Sequence, residues 1–242
     1  MISYDRFTKS YGDILAVDEL SLAVAPGETV ALIGPNGSGK TTTLKALVGL
    51  VRPTRGAVSI AGVDATRGGA EARRMAGYLP QRATFPDGLS ARRVMHLFAR
   101  LRSVPRGTAD VLLERVGLAG DADRGPDEYS GGMRQRLGLA IALLGSPPVL
   151  VLDEPSAALD PTGALMVRDL IRDIRSDGTT VLISSHDLAE VAALADRLAI
   201  FAGGRLQAAG PLAALERTAG VSGVDAVYRH HALGASRRGR AA

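Results

Sequence analysis

The chain has 242 residues and is 46% apolar, which fits one domain, or one domain with a lobe, around a substantial core. It contains no Cys, which excludes a disulfide framework and thiol chemistry and fits a reducing compartment. Its net charge of +4 lies wholly beyond residue 216, where Arg217, Arg229, Arg237, Arg238 and Arg240 face the single acid Asp225. The rest of the chain sums to zero, so the fold carries no net basic charge for nucleic acid, and no nucleic-acid partner is expected.

Residues 217–242 are rich in Gly, Ala and Arg and read as a solvated, mobile, basic tail, with weak contact to anionic lipid as the other reading. The N-terminus, Met1-Ile2-Ser3-Tyr4-Asp5-Arg6, lacks a basic region followed by an apolar one, so no signal peptide is expected. The longest apolar stretch, 137–152, is interrupted by Gly145, Pro147 and Pro148 and does not read as a membrane span.

Residues 2–33 read as β-rich, with short apolar runs at 2–4, 20–24 and 29–33 separated by turn signals. A strand is expected at 57–61 and a polar helix at 67–75. From Arg82 to about Gly145 the pattern is helical throughout. Val94, Leu97, Phe98 and Leu101 recur at helical spacing, as do Leu137, Ala140, Ile141 and Leu144. This is an all-helical lobe, about 82–145, inserted into an α/β core. A continuous apolar run at 149–152 then reads as a strand buried on both faces, and 179–184 as another buried strand. They alternate with helices marked by Val167, Leu170, Ile171 and Ile174 and by Leu188, Val191, Ala192 and Ala195. Short strands follow at 198–202 and 205–208. The expected fold is α/β, a largely parallel core sheet with helices on both faces.

Between the apolar run 30–33 and a helical pattern stands Gly34-Pro35-Asn36-Gly37-Ser38-Gly39-Lys40-Thr41-Thr42, a G-x-x-x-x-G-K-[ST] match in strand–helix context. Its glycines let backbone N–H groups turn inward around phosphates, and the helix N-terminus adds its dipole. Lys40 can reach the β- and γ-phosphates and the Thr41 hydroxyl can ligate Mg²⁺. Of the 29 Lys and Arg residues only Lys9, Lys40 and Lys45 are lysines. An otherwise Arg-using chain has Lys here, and the compact ammonium suits a tight phosphate nest.

Asp153 and Glu154 follow the buried strand at its C-terminal end, the edge where ligands bind in open parallel sheets. Asp153 is placed to hold Mg²⁺, and Glu154 to orient and polarise the water that attacks the γ-phosphate. His186 ends another buried strand on the same side and reads as a γ-phosphate sensor. Two positions stay open on the residues alone. Gln81, at the entry to the helical lobe, can reach Mg²⁺ or water or act only as part of a hinge. Tyr11, on a Gly-adjacent turn, can stack on a purine or be an ordinary surface aromatic.

Taken together these elements resemble the ATP-binding subunit of ABC transporters, over about 2–215. The deciding stretch is Tyr129-Ser130-Gly131-Gly132-Met133-Arg134-Gln135-Arg136, which looks like that family's signature at the start of a helix. The resemblance implies a P-loop NTPase with an N-terminal antiparallel β subdomain, spanning residues 2–216. It makes 34–41 the Walker A motif, 149–153 Walker B, and Glu154 the catalytic base. Tyr11 becomes the adenine-stacking aromatic, Gln81 the Q-loop glutamine and a Mg²⁺ contact, Asp160 the D-loop aspartate and His186 the switch histidine. ATP and Mg²⁺ are the implied cofactors. The family's logic is a head-to-tail homodimer in which each ATP lies between one cradle and the partner's Ser130-Gly131-Gly132. An integral membrane permease is the second implied partner, docked near 81–98, with this chain peripheral on the cytoplasmic face of the inner membrane.

Met133 departs from the Gln that many members carry after Ser-Gly-Gly. That variant, with Tyr129 before the serine, resembles exporters of the ABC-2 type. Residues 81–86, the helix at 94–101 and Val227-Tyr228-Arg229-His230 look similar to the ATPase subunit of the nitrous-oxide-reductase maturation transporter, linked to copper-site assembly. ABC-2 export of drug, lipid or polysaccharide is the alternative, and a soluble non-transport ABC ATPase a further one. The pair His230-His231 is no evidence for copper.

Overall fold

The computed structural model describes residues 1–233. An antiparallel sheet of order β2-β1-β4-β5 is built from β1 (Ile2–Tyr11), β2 (Ile14–Val24), β4 (Arg55–Ile60) and β5 (Val63–Asp64). The main sheet has the order β10-β9-β3-β8-β7-β6. Its strands are β3 (Thr29–Ile33), β6 (Ala76–Leu79), β7 (Val149–Asp153), β8 (Thr180–Ser184), β9 (Arg197–Ala202) and β10 (Arg205–Gly210). All neighbours in it run parallel except β10, which returns antiparallel on β9. This is the P-loop NTPase architecture with an N-terminal antiparallel sheet.

Strand periodicity divides the core in two. Ala31 and Ile33 of β3 and Leu150 and Leu152 of β7 face a cluster shared with the helical lobe. Their neighbours Val30, Leu32, Val149 and Val151 face a second cluster, shared with the antiparallel sheet and the helix α1 (Lys40–Leu47). Both faces are therefore apolar, which is why these strands read as unbroken hydrophobic runs.

The inserted lobe consists of α3 (Ala91–Leu101), α4 (Arg106–Arg115), two single 3-10 turns and α5 (Gly131–Leu143), with no strand among them. It is held to the core at the edge strand β6. Gly77 lies so close to α5 that a Cβ would stand 2.0 Å from the Ala142 carbonyl oxygen. Among the remaining helices, α2 (Gly69–Met75), α6 (Pro161–Ser176) and α7 (Leu188–Leu194) connect the strands.

The C-terminal stretch differs from the expected mobile tail. Helices α8 (Leu212–Ala219) and α9 (Val224–Tyr228) and a π-helical turn Arg229–Leu233 continue the fold. Val227 and Ala232 are buried in the main core cluster, so the domain runs past 216 to at least 232. The cause is the apolar spacing of Leu215, Val221, Val224 and Val227, hidden in a composition dominated by Gly, Ala and Arg. Arg237, Arg238 and Arg240 lie outside the described residues. The two short runs at 2–4 and 20–24 prove to be the ends of long paired strands, and β5, two residues long, is too short to leave a periodic signal.

Candidate nucleotide site

Register in the main sheet assembles the site. Leu79 pairs with Leu152, Asp153 with Ser184 and Leu32 with Ser184. One or two residues beyond these pairs stand Gln81, Glu154, His186 and Gly34. They therefore line up along the C-terminal edge of β6, β7, β8 and β3, although 152 residues of chain separate Gly34 from His186 in sequence position.

The loop 34–39 is shaped by two glycines. A Cβ on Gly34 would stand 2.4 Å from the Phe201 carbonyl oxygen, and one on Gly39, at φ 104°, 2.7 Å from that of Ala16. Pro35, Asn36 and Gly37 form the exposed rim, whereas Ser38, Gly39 and Lys40 are buried. The Lys40 ammonium donates to the Gly34 carbonyl at 2.7 Å and to that of Pro35 at 3.2 Å. Burial lowers its pKa, and the nearby Glu154 and Asp153 carboxylates act against that shift. Thr41 and Thr42 are half-buried on the first turn of α1.

Asp153 is 1% exposed. Its Oδ1 accepts from the Ser184 hydroxyl at 2.6 Å and from the Thr41 hydroxyl at 3.2 Å. Its Oδ2 is buried with no protein partner. An orphaned carboxylate oxygen beside a threonine hydroxyl is the donor set of a hard cation, so these residues fit Mg²⁺. Glu154 has φ 52°, unusual for a residue with a Cβ. Its N–H is shared between the Ser184 hydroxyl at 3.0 Å and the Ser184 carbonyl at 3.1 Å, which holds the turn. Its Oε2 accepts from Gln81 Nε2 at 3.1 Å and lies 3.4 Å from His186 Nδ1.

The signature stands apart from this edge. Ser130 caps α5, accepting from the Met133 N–H at 3.2 Å. Ser130, Gly131 and Gly132 line a cavity of about 470 Å³ together with Asp160, which caps α6 through the Gly163 N–H at 2.7 Å. No residue of 34–42 lines it. Tyr11 is half-exposed on the β1–β2 turn, with the Lys9 ammonium 4.9 Å above its ring. The structure thus brings Lys40, Thr41, Asp153, Glu154, Gln81 and His186 together. It places Ser130, Gly131, Gly132 and Asp160 in a second group, and Tyr11 by itself. Sequence reading missed Ser184, whose hydroxyl bridges the Asp153 carboxylate and the Glu154 N–H. Its only signal was a polar residue ending a buried apolar strand, two before His186.

The ABC transporter family profile matches residues 17–157. This chain belongs to the ABC transporter family. Within that family it is an ATP-binding, ATP-hydrolysing cassette. It is 40% identical over 232 residues to a daunorubicin resistance ATP-binding protein of Streptomyces coeruleorubidus, covering 94% of this chain and 73% of that one. It is 38% identical over 218 residues to a Nod factor export ATP-binding protein of Paraburkholderia xenovorans, covering 88% and 72%. Among solved structures it matches a dimeric ATP-binding cassette in a post-hydrolysis state bound to ADP and Pi. The TM-score is 0.82 at 28% identity, over 88% of this chain and 99% of that one. Neither curated relative lends support to a link with nitrous oxide reductase.

Proposed function

We propose that this chain is the ATPase subunit of an ABC-2 type exporter, dimerising head to tail on ATP and driving a separate membrane permease from the cytoplasmic face. The observation that carries the hydrolytic reading is the convergence of Gln81 Nε2 and His186 Nδ1 on one oxygen of Glu154, beside the Lys40 cradle. In this reading 34–42 binds the triphosphate. Glu154 accepts a proton from the attacking water and orients it, with Gln81 setting the carboxylate's direction and His186 contacting the γ-phosphate. Thr41, Asp153 and Gln81 would hold Mg²⁺, which when bound neutralises charge on the β- and γ-phosphates. Tyr11 offers its ring to the adenine.

The dimer reading is supported by the separation of the two anion sites. A signature cavity lined by Ser130, Gly131, Gly132 and Asp160, with no cradle residue, suits the phosphates held by a second copy. The matched cassette is itself dimeric. Among the described residues no helix is long and apolar enough to cross a membrane, so transport calls for a membrane partner. We assign its docking surface to 81–98, around Phe85 and Arg93. For cargo, the named relatives favour ABC-2 export over copper-site maturation.

The test is Glu154→Gln. It is expected to give a stable ATP-bound dimer by light scattering with turnover near background. Wild-type turnover in that variant sinks the hydrolytic reading. For docking, Phe85→Ala with Arg93→Glu should abolish membrane co-purification, and intact co-purification rejects the assigned surface.

A further inference from the structure

We infer that Glu190 is a positioning residue that ties the loop after Glu154 to the loop carrying His186, so that both sides of the hydrolytic site move as one unit. The inference rests on the roles proposed above for Glu154 and His186. Glu190 lies in the first turn of α7 and is 3% exposed. Its Oε1 accepts from the Ser156 hydroxyl, and its Oε2 from the Ser185 hydroxyl at 2.7 Å.

These two serines belong to different loops. Ser156 stands two residues beyond Glu154, in a turn closed by the Ala157 N–H on the Glu154 carbonyl at 3.3 Å. That turn leads on to Asp160 and hence to the signature cavity. Ser185 immediately precedes His186, and its hydroxyl also accepts from the Asp187 N–H at 3.0 Å. Glu190, Ser156 and Ser185 open on one cavity of about 250 Å³ that Glu154 and His186 also line.

The chemistry of the contact argues for a purpose beyond packing. A carboxylate only accepts, so both hydroxyl protons are drawn to it and both loops are fixed in direction. Among the described residues no cation pairs with Glu190. A buried carboxylate held by hydroxyls alone is costly. An apolar side chain would fill this position more cheaply, as at the other buried positions of α7, Val191 and Leu194. No hydrogen bond joins Glu190 to 34–42, so its loss should spare nucleotide capture and impair the chemical step.

The experiment is steady-state ATPase kinetics with thermal melting on the full chain, for Glu190→Ala, Glu190→Gln and the double variant Ser156→Ala/Ser185→Ala. Glu190→Ala is expected to lower kcat about tenfold or more, with KM for ATP within about twofold of wild type. The double serine variant should match it, because it removes the same two bonds. Glu190→Gln keeps the shape and can still exchange hydrogen bonds with both hydroxyls, so it should recover kcat to within about threefold of wild type.

A kcat within about twofold of wild type, in either folded Glu190→Ala or the double serine variant, overturns the inference. So does a loss that appears wholly in KM. If Glu190→Ala does not fold, the double serine variant decides alone. Wild-type turnover by Glu154→Gln would instead remove the hydrolytic reading on which the inference stands, so the two failures are separable.

Discussion

Ser184→Ala isolates the hydroxyl that joins the two acidic residues of the site. Ser184 is fully buried, and its Oγ donates to Asp153 Oδ1 at 2.6 Å while accepting from the Glu154 N–H at 3.0 Å. Removing a hydrogen bond to a buried charge costs about 1.5–3 kcal/mol. The Glu154 N–H keeps the Ser184 carbonyl at 3.1 Å, so its share of the loss is small. Deleting one oxygen leaves little cavity. The net expectation is about 2 kcal/mol, or a fall in Tm of about 4–8 °C for a domain of this size. The chain has no Trp, so unfolding in urea is best followed by far-UV circular dichroism. A matched control is Ser176→Ala, which removes an exposed hydroxyl bonded to the Asp173 carbonyl at 2.6 Å and should change stability by under about 0.5 kcal/mol. If Ser184→Ala costs no more than this control, Ser184 does not hold the Asp153–Glu154 corner.

Three further expectations address other parts of the molecule. Lys40→Arg should weaken ATP binding about 10- to 100-fold by calorimetry, because a planar guanidinium does not reproduce the compact ammonium that this buried side chain holds on the Gly34 and Pro35 carbonyls; unchanged affinity would argue against Lys40 as a phosphate contact. Val227→Ala should cost about 2 kcal/mol in urea unfolding, since the side chain is fully buried, and a neutral result would return this stretch to a loose tail. Burial raises the Tyr4 pKa far above its ordinary value near 10, while the unfolded chain ionises at that value. Stability is therefore full below about pH 10 and is lost as pH rises beyond it. Tyr4→Phe should flatten this alkaline decline, at the cost of the bond from the Tyr4 hydroxyl to the Thr43 carbonyl at 3.0 Å.

Much of this was legible from local pattern. The run 34–42, the apolar strands at 149–152 and 179–184 and the helical spacing of the lobe each carry their meaning within a dozen residues. A glycine loop between strand and helix that ends in Lys-Thr carries the phosphate-nest pattern within nine residues. Tertiary structure decided the rest, because the deciding contacts join distant segments. Parallel register, with Leu79 on Leu152 and Asp153 on Ser184, sets Gln81, Glu154 and His186 side by side. Ser184 and Glu190 look unremarkable in the sequence and gain their meaning only from the carboxylate or hydroxyls that folding presents to them. The C-terminal stretch misled because composition averages over residues, whereas burial depends on whether a few of them, here Val227 and Ala232, meet a core that other segments have built. The cradle by itself specified a triphosphate; its opposition to Glu154, and its separation from Ser130-Gly131-Gly132, belong to the fold.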